Sequence, residues 1–129
     1  MHRAMITTFL QVALGGAIGS CLRYGTGMAV LRLVGPGFPL GVLAVNILGS
    51  FLMGAFAVLT IERGLAHLNP LVMAGLLGGF TTFSAFSLEA VTLWERGAMG
   101  EAALYVGLSV GLSIGALMLG AALARGALA

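Results

Sequence analysis

Ten consecutive residues, Gly78 to Ser87, read GGFTTFSAFS: two adjacent glycines, two threonines, two serines and three phenylalanines. Hydroxyls donate hydrogen bonds and aromatic rings carry a positive edge, so this mixture can meet a small anion without trapping it on a full opposite charge. No lysine or arginine lies near the run in sequence. The run sits inside a hydrophobic stretch that should cross a membrane. Irregular backbone is tolerated there only where protein buries it or where it lines a polar cavity. We read it as a break in a spanning helix, of the kind that builds an ion site at membrane depth. Carbonyls freed by such a break are acceptors and could instead hold a cation.

Further groups of residues, within the run and outside it, bear on the same chemistry. Tyr105, Ser109 and Ser113 fall at i, i+4 and i+8. On a helix of 3.6 residues per turn, successive members are rotated by only ~40°, which gives one row of hydroxyls. Gly107, Gly111 and Gly115 lie on nearly the opposite face, where another helix could approach closely. The serines could otherwise bond back to carbonyls one turn earlier. Asn46 stands alone in LGVLAVNILGS, either as a link between helices or as a donor to a passing ligand, and the break favours the ligand. Phe80, Phe83 and Phe86 recur every third residue, interleaved with Thr81, Thr82, Ser84 and Ser87. Arg23 and Glu89 lie in the later parts of two spans that run the same way. They pair, or each frames a vestibule, or Arg23 reaches to the interface by itself.

The elements that must hold these residues are all helical. With 129 residues, 60% hydrophobic and 8% charged, and a mean hydropathy of +1.11, the chain is not an ordinary soluble domain. Four spans are predicted, over about 7–29, 40–61, 71–94 and 102–123, within a single transmembrane domain covering 1–129. Each holds the ~20 apolar residues needed to cross ~30 Å of hydrocarbon. The connectors carry turn chemistry: Gly35-Pro36-Gly37 with Pro39, then Glu62 to Pro70, then Glu95 to Glu101. The start, MHRAMITTFLQVALGGAIGS, imitates a signal peptide, but the apolar run continues past Ser20 and is read as the first span. Cys21 is the only cysteine, which supports neither a disulfide framework nor a metal cluster. A net charge of +2 is too small to argue for nucleic acid.

Charge does not choose an orientation. An even number of spans puts both termini on one side, with Arg3, Arg63 and Arg125; the other side carries Arg32 and Arg96, plus Arg23 if it snorkels. A chain without a clear arginine or lysine excess on one side inserts both ways. That balance points to an antiparallel dimer; the competing reading is one orientation set by a weak excess.

GGFTTFSAFSLE in the third span, VNILGS around Asn46 and GGAIGSCLRYG in the first closely resemble the CrcB/Fluc family of fluoride channels. The length, the four spans and the Tyr-Ser-Ser row are similar too, so the resemblance covers essentially the whole chain. It implies an all-α membrane protein whose third helix is broken at its centre. It implies an antiparallel, dual-topology homodimer in the inner (plasma) membrane that exports toxic fluoride passively through two pores, each built from both subunits. By resemblance, Asn46, Phe83 and Phe86 line the pores, Tyr105, Ser109 and Ser113 form a polar track, and Thr82 and Ser84 complete the lining. The carbonyls of Gly78 and Thr81, repeated in the partner, match a structural sodium site on the two-fold axis. The expected partners are fluoride, membrane lipid and a second copy of the chain, with no nucleic acid. Phe80 stands where the family more usually has leucine. Fluoride itself comes only from the resemblance. The alternative is a small multidrug-type exporter, also four-spanning and of dual topology. Such carriers depend on an acidic residue in the first span, and none is present here. No enzymatic chemistry is expected, since the chain has no aspartate and both histidines lie outside the spans.

Overall fold

Long apolar segments in hydrocarbon must close their backbone hydrogen bonds internally, and helices do so without help from side chains. A computed structural model describes His2 to Ala129; Met1, the first residue of the signal-like stretch, lies outside the described residues. Helices α1 (His2–Val34) and α2 (Leu40–Glu62) are followed by a 3-10 turn, Ala66–Leu68. The third stretch comprises a π-helix, Pro70–Leu77, a short α3 (Gly78–Phe80) and α4 (Ser84–Glu95), and the last helix is α5 (Met99–Leu128). Among the described residues, four stretches are long and apolar enough to cross a membrane: His2–Val34, Leu40–Glu62, Pro70–Glu95 and Met99–Leu128. They coincide with the four predicted spans and extend beyond them. The first connector turns on Gly35 and Gly37, whose φ angles of 77° and 129° suit only a residue without a side chain.

Two seams hold these helices together. Helix α1 packs along the π-helix and α3, and α2 packs along α5. Both seams bring backbone against backbone. A Cβ on Gly15 would collide with the Leu71 carbonyl, and one on Gly19 with the Leu76 carbonyl; on Gly79 it would lie 2.7 Å from the Gly16 oxygen. In the second seam, a Cβ on Gly54 would strike the Leu117 carbonyl, and one on Gly120 the Phe51 carbonyl. Small residues permit this approach, and dispersion between the closely packed backbones stabilises it in a lipid setting. The Gly107, Gly111 and Gly115 row takes no part, because a Cβ on each would meet nothing within 4 Å. Gly54→Ala or Gly120→Ala is therefore expected to destabilise the protein by about 1–3 kcal/mol through overpacking. Gly111→Ala should be neutral for the isolated chain. Thermal melting of the three variants in detergent checks this, and equal midpoints would refute the backbone seam.

The best-buried apolar cluster, Leu43, Leu93, Ala102 and Tyr105, joins α2, α4 and α5, with Phe38 and Phe86 packed on its edge.

Candidate functional site

The last helical hydrogen bond before the break runs from the Thr81 N–H to the Leu77 carbonyl, at 3.0 Å. Thr81 is extended, with φ −90° and ψ 161°, and helix resumes at Ser84. Backbone groups released within a membrane span need partners, and side chains from two other helices provide several. Asn46 of α2 accepts from the Thr82 N–H at 2.8 Å through Oδ1, and its Nδ2 donates to the Thr82 carbonyl at 3.0 Å. Both bonds fix the extended segment to α2. Arg23 of α1 donates from Nε to the Gly79 carbonyl at 3.0 Å. Its charge therefore lies at the carbonyl end of the first half-helix, where a cation is favoured. The Ala85 N–H donates to Thr82 Oγ1 at 3.2 Å, a local cap on α4.

These bonds leave two carbonyls without their usual helical donors. The Gly78 carbonyl would accept from the Thr82 N–H, which is bonded to Asn46, and the Thr81 carbonyl from the Ala85 N–H, which is bonded to Thr82 Oγ1. Two such oxygens are hard ligands of the type that suits a sodium ion. The residues present fit that ion.

Asn46, Ser50, Thr81, Thr82, Phe83, Phe86, Ser109, Val110 and Ser113 surround one open cleft of about 310 Å³. The structure thus brings together Asn46, Thr82, Phe83, Phe86, Ser109 and Ser113 from three helices and the extended segment. Ser84 lies beside the cleft rather than on its wall, with its Oγ 3.4 Å from Thr82 Oγ1. Tyr105 adjoins it through Phe86, the ring centroids 5.3 Å apart. Phe83 and Phe86 meet edge to face at 5.5 Å, and both border the cleft that Ser109 and Ser113 also line. Ser50 was not anticipated, although it follows Asn46 by one helical turn and closes the motif VNILGS.

The hydroxyls fall into two groups. Those of Thr81, Ser87 and Thr92 bond back to carbonyls of Leu77, Phe83 and Leu88 at 2.9, 2.9 and 2.7 Å. Tyr105 Oη, Ser109 Oγ and Ser113 Oγ are buried and have no partner among the described residues. A buried polar group without a partner costs about 1–3 kcal/mol, so three in one row need a ligand or water to offset them. Back-bonding therefore does not account for this row.

Of the alternatives for Arg23 and Glu89, pairing is not what the chain adopts: Arg23 is held by the Gly79 carbonyl, and Glu89 faces the first connector with Gly37, Pro39, Thr92 and Arg96. Equal depth along parallel spans does not bring side chains together when a freed carbonyl lies nearer. Phe80 is buried and stands apart from Phe83 and Phe86: it precedes the extended Thr81 and borders a separate cleft with Leu22, Leu48 and Leu77.

Residues 10–121 match the profile of a family described as "CrcB-like protein, Camphor Resistance (CrcB)". A "Fluoride-specific ion channel FluC" of Ruegeria sp. (strain TM1040) is 70% identical over 125 residues, covering 96% of this chain and 99% of that protein. Proteins of the same name from Cereibacter sphaeroides (strain ATCC 17029) and Jannaschia sp. (strain CCS1) are 58% and 71% identical. They cover 95% and 74% of this chain, and 98% and 91% of their own lengths.

Proposed function

This chain belongs to the CrcB family, and from that premise we propose that it is a fluoride channel of the plasma membrane through which the ion leaves the cell passively. It is a multi-pass membrane protein, and as a channel it catalyses no covalent step. The observation that carries the reading is the row of buried, unpartnered hydroxyls on Tyr105, Ser109 and Ser113 beside the rings of Phe83 and Phe86. Fluoride is small and strongly hydrated, so an anion path must replace its water with donors. Hydroxyl protons, the second Nδ2 proton of Asn46 and ring edges replace that water without a lysine or arginine on the cleft wall. The ion is dehydrated yet not trapped. Purified protein in liposomes should release fluoride, read by a fluoride-selective electrode, and retain chloride. Equal release of the two anions, or none of fluoride, would overturn the reading.

We further propose that the working unit is an antiparallel homodimer with two pores, embedded in lipid. The break supports this, because Gly78 is exposed and its carbonyl has lost its helical donor. Hydrocarbon does not satisfy such a group, whereas a second copy of the same surface covers it. The balanced arginines support both orientations. Adding about three lysines to one connector should lock the subunit one way and abolish export when that version is expressed alone. Co-expression with an oppositely biased copy should restore export. Full activity from one locked version would refute dual topology.

Sodium is proposed as the resident ion at the paired breaks. Bound to the Gly78 and Thr81 carbonyls of both copies, it would supply a fixed positive charge that favours nearby anions through low-dielectric protein. Thr81→Ser should keep the site, since the ligand is main-chain. A Cβ on Gly78 would press on the Met73 carbonyl at 3.3 Å, so Gly78→Leu strains the break as well as crowding the partner copy. Its expected effect is loss of the dimer, read by size exclusion. Replacing sodium with an inert cation during purification should lower the melting midpoint of the parent protein by about 5 °C or more. An intact Gly78→Leu dimer with an unchanged sodium response would refute this arrangement.

A further inference from the structure

The hydroxyl row of α5 does not end in the open. Ser109 and Ser113 reach the central cleft, but Tyr105 has 0% exposure and belongs to the cluster of Leu43, Leu93 and Ala102. Beyond that cluster, towards the first and third connectors, lie two further clefts. One, of about 300 Å³, is lined by Phe38, Val42 and Glu89 among others; the second, of about 270 Å³, by Gly37, Thr92, Glu89 and Arg96. Both contain the polar and charged groups expected where a path meets water.

A file of aromatic rings separates these clefts from the central one. Phe38 stands edge-on to Tyr105 with centroids 5.6 Å apart and planes at 88°. Tyr105 meets Phe86 at a tilt of 43° with centroids 5.3 Å apart, and Phe86 meets Phe83 at 5.5 Å. Phe83, Phe86 and Tyr105 lie on, or immediately before, a helix that fixes them. Phe38 lies on the connector, between the positive-φ Gly37 and Pro39, and is half-buried. We infer that Phe38 closes the connector-side end of the fluoride path, sealing the Tyr105 hydroxyl from water and setting the barrier that the ion must cross to leave. The inference rests on the channel reading above. A hydrophobic ring at a constriction excludes water and so opposes a hydrated ion. Its edge-to-face seat on Tyr105 and the bond from the Leu40 N–H to the Phe38 carbonyl at 2.8 Å hold that barrier in place. The ion must pass this ring to reach the clefts that hold Glu89 and Arg96.

The test uses the full chain in liposomes, with wild type, Phe38→Ala, Phe38→Leu and Phe38→Tyr measured side by side with the fluoride electrode. Phe38→Ala should raise the initial fluoride efflux rate at least threefold and introduce a chloride leak that wild type lacks. Phe38→Tyr keeps the ring and should remain within twofold of wild type. A residue that only packs the core would lower thermal stability without raising flux. Unchanged or reduced efflux from well-folded Phe38→Ala would overturn the inference while leaving the channel reading intact. If Phe38→Ala does not fold, Phe38→Leu decides by the same criterion, with a rise supporting the barrier and no rise refuting it. Absence of fluoride efflux from wild type would instead overturn the channel reading, and this inference with it.

Discussion

Replacing Phe83 or Phe86 with isoleucine is expected to reduce fluoride efflux by about 10–100-fold while the protein still folds. Isoleucine keeps bulk and apolarity but lacks the ring's positive edge. An edge contact with a dehydrated anion worth about 1.5–3 kcal/mol at the barrier gives that range, since 1.36 kcal/mol is a factor of ten in rate. The two positions should differ in stability. Phe83 is 67% exposed in the single chain, so its replacement removes few intramolecular contacts. Phe86 lies between Phe83 and Tyr105, and losing both ring contacts should cost about 1 kcal/mol or more. Efflux recordings paired with thermal melting separate these effects. Near-normal efflux in both variants would return the rings to a packing role.

Substitution of Asn46 should have an effect of similar size by a different route. Asn46→Leu leaves the Thr82 N–H and carbonyl without the partners they have at 2.8 and 3.0 Å. Each unsatisfied group costs about 1–3 kcal/mol, so the extended segment should be lost and the melting midpoint should fall. Asn46→Asp keeps an acceptor for the Thr82 N–H but sets a carboxylate against the Thr82 carbonyl and in the cleft. It should be better folded than Asn46→Leu yet transport fluoride no faster than empty liposomes, because like charge repels the ion. Wild-type efflux from Asn46→Leu would mean that the amide neither holds the segment nor serves the ion.

The four spans were legible because length and hydropathy decide them: a run of about twenty apolar residues bounded by Gly35-Pro36-Gly37 or Asn69-Pro70 leaves little choice. The π-helix over Pro70–Leu77 was not legible. Its register is set where Gly75 meets the backbone of Gly15 and Val12, a tertiary contact with no local signature. The site was legible in composition but not in wiring. Periodicity placed Tyr105, Ser109 and Ser113 in one row, since helical geometry alone fixes that. Spacing alone grouped Phe80 with Phe83 and Phe86, whereas the extended Thr81 separates it from them. Depth along the spans left the partner of Arg23 open between Glu89 and none, when its acceptor is a main-chain carbonyl that no side-chain inventory contains. Asn46 was weighed as either a structural link or a ligand donor. Its bonds to Thr82 make it a link, and its remaining Nδ2 proton keeps the second role open to it.

The glycine seam between α1 and the third stretch also ties the site to the bilayer. At 1.5 Å per residue, the 33 residues of α1 extend for roughly 50 Å, well beyond a hydrocarbon layer of about 30 Å. Such a helix adapts to thinner or thicker lipid by tilting. Where Gly15, Gly16 and Gly19 touch the backbone of Leu71, Leu76 and Gly79, no side chain lies between the two helices to repack and let them slip. A tilt of α1 is therefore passed to Gly79 and the half-helix before the break, while Asn46 holds Thr82 to α2, so a change in membrane thickness is expected to load the extended segment between these two anchors.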